Sequence, residues 1–136
     1  FSNNVLKRMG KTFSSEILEE VLNNTHKANI VALINIIVGF PGESEEDFQE
    51  TLEAIERNRK YLVKISAISV CLINGESDLD INYRKYELVL SEDFRIRAKH
   101  WESMDGINNY NLRRSRAEKA IALFNKLGLT YETATI

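Results

Sequence analysis

The sequence predicts an α/β fold on parallel strands, and three observations carry that reading. Residues 30–38 form an apolar run broken only by Asn35. A second run, Ile65 to Ile73, has the same β-branched character. The stretches before and between them carry helical spacing, so residues 14–73 spell helix, strand, helix, strand.

The elements follow in order. Residues 1–13 are polar around Val5, Leu6 and Met9, which reads as a short helix stopped by Gly10. Ser14 and Ser15 are caps for a helix running to about Asn24 or His26, with Ile17, Leu18, Val21 and Leu22 as its apolar stripe. The strand at 30–38 is continuously apolar rather than alternating, which predicts helices over both of its faces. It runs into Gly39-Phe40-Pro41-Gly42, and an acidic helix opens at once. Ser44 caps that helix with Asp47 in a capping-box position, and Phe48, Leu52 and Ile55 form its stripe to near Asn58 or Lys60.

Regularity stops after Ile73. Residues 74–111 are long and mixed, with turn signals at Asn74-Gly75 and Asp105-Gly106 and one packed piece around Tyr83, Tyr86, Leu88, Val89 and Leu90. Leu112 to Leu127 is a last helix with Ala117, Ala120, Ile121, Phe124 and Leu127 on one face, stopped by Gly128. Thr130 to Ile136 suits one more short strand. The organisation expected is repeating α/β units over 1–73, and an irregular segment with a helix packed on the same domain over 74–136.

Composition bounds the function. With 136 residues, 43% hydrophobic and 28% charged, the chain is sized for one folded domain, not a disordered segment. No apolar run approaches the ~20 residues of a membrane helix, so no membrane partner is expected. Cys71 is the only cysteine, which excludes an internal disulfide and fits a reducing, cytoplasmic setting. The first residue is Phe1 rather than Met, so the chain reads as cut from something longer. Seven acids from Glu43 to Glu56 have no Lys or Arg among them, whereas Arg113, Arg114, Arg116 and Lys119 crowd the last helix. Only Lys99-His100-Trp101 and Arg57-Asn58-Arg59-Lys60 hint at basic residues interleaved with aromatics, so nucleic acid is not the expected partner of this segment.

The glycine turn is the candidate site. It lacks the Gly-Lys-Ser/Thr ending of a phosphate loop, its acids repel phosphate, and Pro41 removes a donor. Its glycines either let the backbone approach a flat, neutral ligand or make a tight turn with no ligand. Asn35 either bonds neighbouring backbone or faces a polar ligand. Cys71 reads as a small buried hydrophobe. His26 and His100 lie far apart with no metal-ligand spacing beside either, so no metal site is expected. Glu43 and Asp47 are placed for helix capping rather than acid–base work, and no catalytic residue stands out.

Asn35-Ile-Ile-Val-Gly-Phe-Pro-Gly-Glu-Ser-Glu-Glu-Asp-Phe-Gln-Glu-Thr51 closely resembles a segment of the radical S-adenosylmethionine enzymes. The resemblance is nearest to the methylthiotransferases and to the branch with cobalamin-binding domains. Val5-Leu6-Lys7-Arg8-Met9-Gly10-Lys11 is similar to the family's Val-Leu-x-x-Met-x-Lys, and His26-Lys-Ala-Asn-Ile30 to its His-x-Ala-Gly-Ile, with Asn29 in place of the usual glycine. These blocks keep the family's order over roughly residues 2–56.

The resemblance implies a partial, half TIM-type parallel barrel with an irregular C-terminal extension: the C-terminal half of a radical enzyme's core. It implies that Asn35, Ile37, Gly39 and Gly42, with Phe40 and Pro41 shaping the turn, contact the adenine and ribose of S-adenosylmethionine. The family's Cys-x-x-x-Cys-x-x-Cys is absent, so the [4Fe–4S] cluster, and cobalamin if the parent uses it, would belong to the parent protein. The expected partner is the missing N-terminal half. A half-barrel leaves strand edges that residues 74–111, the C-terminal strand or a second copy of the chain would cover. The alternative is a non-catalytic α/β interaction module that kept the fold and lost the chemistry.

Overall fold

Each helix start is fixed by a serine, aspartate or asparagine whose side chain accepts from the first turn. The computed structural model describes residues 1–136, the Phe94 side chain excepted. Ser2 caps α1 (Asn3–Arg8) and Ser14 caps α2 (Ser15–Lys27). Ser44 and Asp47 form a reciprocal capping box on α3 (Glu45–Arg57): Asp47 N–H donates to Ser44 Oγ at 3.1 Å, and Ser44 N–H to Asp47 Oδ2 at 2.9 Å.

β1 (Leu33–Val38) starts later than its apolar run. Asn29 stands at φ +56°, and the Ile30 and Asn29 N–H groups return to the Thr25 and His26 carbonyls at 2.8 and 3.0 Å. That is a Schellman end to α2, with Asn in the left-handed position, and it consumes Ile30 before a strand can begin.

β2 (Lys64–Val70) follows α3 through a single 3-10 turn. The long connection then holds α4 (Asp78–Ile81), β3 (Leu88–Val89), α5 (Phe94–Arg97) and β4 (Glu102–Ser103), with β3 and β4 pairing antiparallel. α6 (Tyr110–Leu127), ended by Gly128 at φ +64°, leads into β5 (Thr130–Thr133).

The main sheet has three strands in the order β1-β2-β5, all parallel, with Leu33 beside Lys64 and Val38 beside Val70. The α/β class, the parallel pairing and the late strand therefore agree with the sequence. No closed barrel forms among the described residues.

Burial on β1 departs from expectation. Ile36 and Val38 pack with Leu22 of α2, Phe48 and Ile55 of α3, and Ala117, Ala120 and Phe124 of α6. Leu33, Asn35 and Ile37 point to the opposite, open face. Helices thus cover one face of β1, not both. The stripe of α2 divides likewise, with Leu22 buried while Ile17 and Val21 are half exposed.

A second apolar cluster forms where the strands end: Val5, Phe40, Cys71, Ile73, Leu88 and Trp101, flanked by Met9, Leu79, Tyr83, Tyr86 and Leu90. It draws the 74–111 segment onto the C-terminal ends of β1 and β2. α1 is pinned beside it through Asp47, which accepts from Ser2 Oγ and, at 2.8 Å, from Asn4 Nδ2.

Two measurements check this architecture. Ile36 is 6% exposed and its neighbour Ile37 44%. Ile36→Ala should cost about 2–5 kcal/mol in urea unfolding and Ile37→Ala at most about 1 kcal/mol; equal losses would contradict one-sided burial. The second concerns Asp47, where burial raises the carboxyl but hydrogen bonds from Ser2, Ser44 and Asn4 outweigh it and leave the pKa lowered. A depressed folded pKa stabilises above the ordinary Asp value of about 3.9, and that contribution is lost as pH falls through the folded value. Between about pH 6 and pH 3 the urea midpoint should fall less for Asp47→Asn than for the parent chain. Equal falls would remove Asp47 from the acid transition.

Candidate functional site

The site is the turn that leaves β1. Phe40-Pro41-Gly42-Glu43 closes with the Glu43 N–H donating to the Phe40 carbonyl at 2.9 Å, and Gly42 stands at φ +80°. Proline second and a left-handed glycine third make this a type II turn. Gly39, just before it, is also left-handed at φ +76°.

Two buried arginines of α6 hold the turn. Glu43 Oε2 accepts from the Gly39 N–H at 2.6 Å and from Arg116 Nη1 at 2.8 Å. Arg116 also donates from Nη1 to the Glu43 carbonyl at 3.1 Å and from Nε and Nη2 to Glu45 Oε2 at 3.3 and 3.2 Å. Burial pushes the Glu43 carboxyl above the usual range, opposed by the Gly39 N–H and by Arg116.

Arg113 is wholly buried. Its Nη1 donates to Asn108 Oδ1 at 3.1 Å, and its Nη2 to the Lys99 and Trp101 carbonyls at 2.8 and 2.9 Å. Its guanidinium lies 3.8 Å from the centre of the Trp101 ring. Asn108 Nδ2 donates to the Gly39 carbonyl at 3.0 Å, and Trp101 Nε1 to the Cys71 carbonyl at 3.0 Å. Desolvation lowers the Arg113 pKa to about 10 and raises the Cys71 thiol to about 12, which leaves that thiol protonated and unreactive.

The candidate residues divide by side. Ile37 and Phe40 line an open groove of about 260 Å³ at the ends of β1 and β2, with Met9, Ser69, Cys71, Leu72, Asn74 and Leu79. Asn35 and Ile37 line a recess of about 410 Å³ beneath α1, with Val5, Met9, Phe13 and Leu18. Asn35 therefore faces an open surface rather than the core. Gly39 and Pro41 are buried and shape the turn. Gly42 opens on the far side, onto a recess of about 690 Å³ that Arg8, Tyr86 and Asn108 also line.

Ser69 carries no sequence signal that singles it out, and Asn74 carries only that of a turn. Arg113, Arg116 and Trp101 did stand out, as a basic crowd and a weak nucleic-acid hint, yet each is buried and serves the turn. His100 tilts against Tyr110, and among the described residues no group of three or more His, Cys, Asp or Glu side chains is placed to hold a metal.

Glycine is required at position 39 for two reasons. An added Cβ would strain the left-handed backbone and lie 2.2 Å from Arg113 Cγ. Gly106 shares the backbone, at φ +71°, but has open space around it. Gly39→Ala should therefore cost roughly 2–5 kcal/mol and Gly106→Ala only about 1 kcal/mol in thermal or urea melts. Equal costs would show that Arg113 does not press on Gly39.

No family model matches the chain, and no solved structure matches it significantly. Curated proteins do. A tRNA-2-methylthio-N(6)-dimethylallyladenosine synthase of Thermoanaerobacter sp. is 43% identical over 60 residues, covering 43% of this chain and 13% of that protein. The protein of the same name in Corynebacterium diphtheriae is 50% identical over 62 residues, covering 43% of this chain and 12% of its own. The ribosomal protein uS12 methylthiotransferase RimO of Thermotoga petrophila is 46% identical over 57 residues, covering 40% and 13%. The matched segment thus spans about an eighth of these relatives. Cobalamin finds no support among them. The chain's homologues are methylthiotransferases, members of the radical S-adenosylmethionine superfamily.

Proposed function

We propose that this chain is part of a radical S-adenosylmethionine enzyme and forms the adenine and ribose wall of its cofactor site. The carrying observation is the open apolar groove at the C-terminal ends of two parallel strands, where α/β folds place ligands. The relatives support it from another direction. Two are named for a tRNA adenosine and one for a ribosomal protein, yet all match this chain. What they share is a reaction type rather than a substrate, which favours a cofactor role for the common piece. In this reading the sheet is half of a TIM-type barrel. The exposed face of Leu33, Asn35 and Ile37 is its inner wall, and an N-terminal half supplies the cluster cysteines.

The residues present fit the adenosyl group and not the cluster. Ile37, Phe40 and Leu72 offer an apolar shelf, with Ser69 and Asn74 as polar groups at its edge. Cys71 is buried, alone and held protonated, so it is no cluster ligand. The cofactor with its cluster supplies the radical-generating chemistry when bound. The groove residues bind and orient the adenosyl end, and the apolar cluster around Phe40 and Trp101 keeps water from the strand ends.

One observation favours the alternative of a non-catalytic interaction module. The Gly39 N–H and carbonyl are already taken by Glu43 and Asn108, so this backbone is satisfied without a ligand. Titrating the ¹⁵N-labelled chain with S-adenosylhomocysteine separates the two. The cofactor reading expects saturable amide shifts at Ile37, Phe40, Ser69 and Leu72, with a Kd on the order of millimolar, abolished by Ile37→Asp. Shifts absent at about 10 Kd of that scale, or scattered away from the groove, would sink it and leave the module.

A further inference from the structure

We infer that Arg113 is a positioning residue for the groove, fixing the segments that leave β1 and β2 beyond the last rung of their ladder, where the Cys71 N–H donates to the Val38 carbonyl at 2.8 Å. This rests on the cofactor reading above. The β2 end reaches the guanidinium through Trp101, whose indole N–H holds the Cys71 carbonyl at 3.0 Å and whose own carbonyl accepts from Arg113 at 2.9 Å. The β1 end reaches it through Asn108, which accepts from Arg113 at 3.1 Å and donates to the Gly39 carbonyl at 3.0 Å. The side-chain stem also occupies the space a Cβ on Gly39 would take. Phe40 and Cys71, which both line the groove, each follow or are a residue tied to this one cation.

Stability alone does not account for an arginine here. Among the described residues no carboxylate lies within ion-pair distance of it, and its buried Nε has no hydrogen-bond partner. A buried cation held only by carbonyls and an amide costs more than an apolar side chain of its size. What arginine alone provides is a rigid planar fork that donates in two directions while stacking on an aromatic ring. Lysine keeps the charge and loses that geometry. The Glu43–Arg116 pair differs in kind, because it ties the turn to α3 and α6 and does not reach β2.

Arg113→Lys is the decisive variant, read by amide hydrogen exchange and by emission of Trp101, the chain's only tryptophan. The expected result is at least about tenfold faster exchange at Gly39 and Cys71, with Ile65 and Ile68 unchanged, and an altered Trp101 emission. The S-adenosylhomocysteine response at Ile37 and Ser69 should weaken by about tenfold as well. Asn108→Ala, which cuts only the β1 limb, should speed exchange at Gly39 and spare Cys71, and it decides the matter if Arg113→Lys does not fold. Exchange that rises uniformly across the sheet, or not at all, overturns the inference by reducing Arg113 to a general core residue. If the parent chain shows no groove response to the ligand, the cofactor reading fails, while the exchange pattern still judges Arg113 by itself.

Discussion

The contact on which the strand-end architecture depends is the approach of Arg113 to the bare Cα of Gly39. A side chain at position 39 would meet the arginine stem at 2.2 Å, so the turn, the helix and the long connection are packed around an absence. That absence lets the guanidinium reach inward far enough to stack on Trp101 and engage Asn108. Without it α6 could not lie so close to the end of β1, and the type II turn would lose its backing. A left-handed glycine after a parallel strand is common hardware. Here it is occupied from behind by the protein's own side chain, which leaves the front of the strand open.

The openness of that front is the second organising fact. Burial of β1 is confined to Ile34, Ile36 and Val38, while Leu33, Asn35 and Ile37 face outward. A strand buried on both faces needs two layers of helix, and α2, α3 and α6 supply only one. One-sided covering explains why the apolar run looks over-hydrophobic for the burial it receives. It also explains why a recess opens beside Asn35, a polar residue that would be costly inside a sealed sheet.

How much of this was legible varies with the range of the interaction. The Ser14 cap, the Ser44–Asp47 box and the Gly128 stop are set by neighbours in sequence and read correctly, and the parallel pairing, though it joins strands far apart in the chain, follows from the alternation of helix and strand. The delayed start of β1 was legible only in part, because Asn29 had to be recognised as the left-handed residue of a Schellman end. The role of Arg113 was not legible. It lies 74 residues from Gly39 in sequence, and an arginine on a helix among Arg114 and Lys119 looks like solvated surface. Only the fold shows that positions 113 and 116 face inward while 114 and 118 pair outside. Trp101 was noticed for the wrong reason, since a basic neighbour in sequence suggested nucleic acid when the relevant cation came from another element.

Glu43 and Asp47 show why residue type and position along a helix do not settle a carboxylate's behaviour. They flank the Ser44 cap of α3, Glu43 just before it and Asp47 in the first turn, both near the positive end of the helix dipole. Asp47 collects hydrogen bonds from Ser2, Ser44 and Asn4 that outweigh its burial, and its pKa falls. Glu43 meets a heavier desolvation that one backbone N–H and one arginine do not fully offset, and its pKa rises. A raised folded pKa means the native state binds the proton more tightly than the unfolded chain does, so its contribution to stability declines as pH climbs through that value. The helix cap therefore strengthens with rising pH while the turn's own carboxylate weakens. The turn keeps that carboxylate because a neutral side chain would leave Arg116 buried against Glu43's carbonyl with only the half-exposed Glu45 to balance it. Holding the arginines of α6 in place is thus the common requirement behind a glycine that cannot gain a side chain and a glutamate whose carboxyl joins the Gly39 N–H to Arg116.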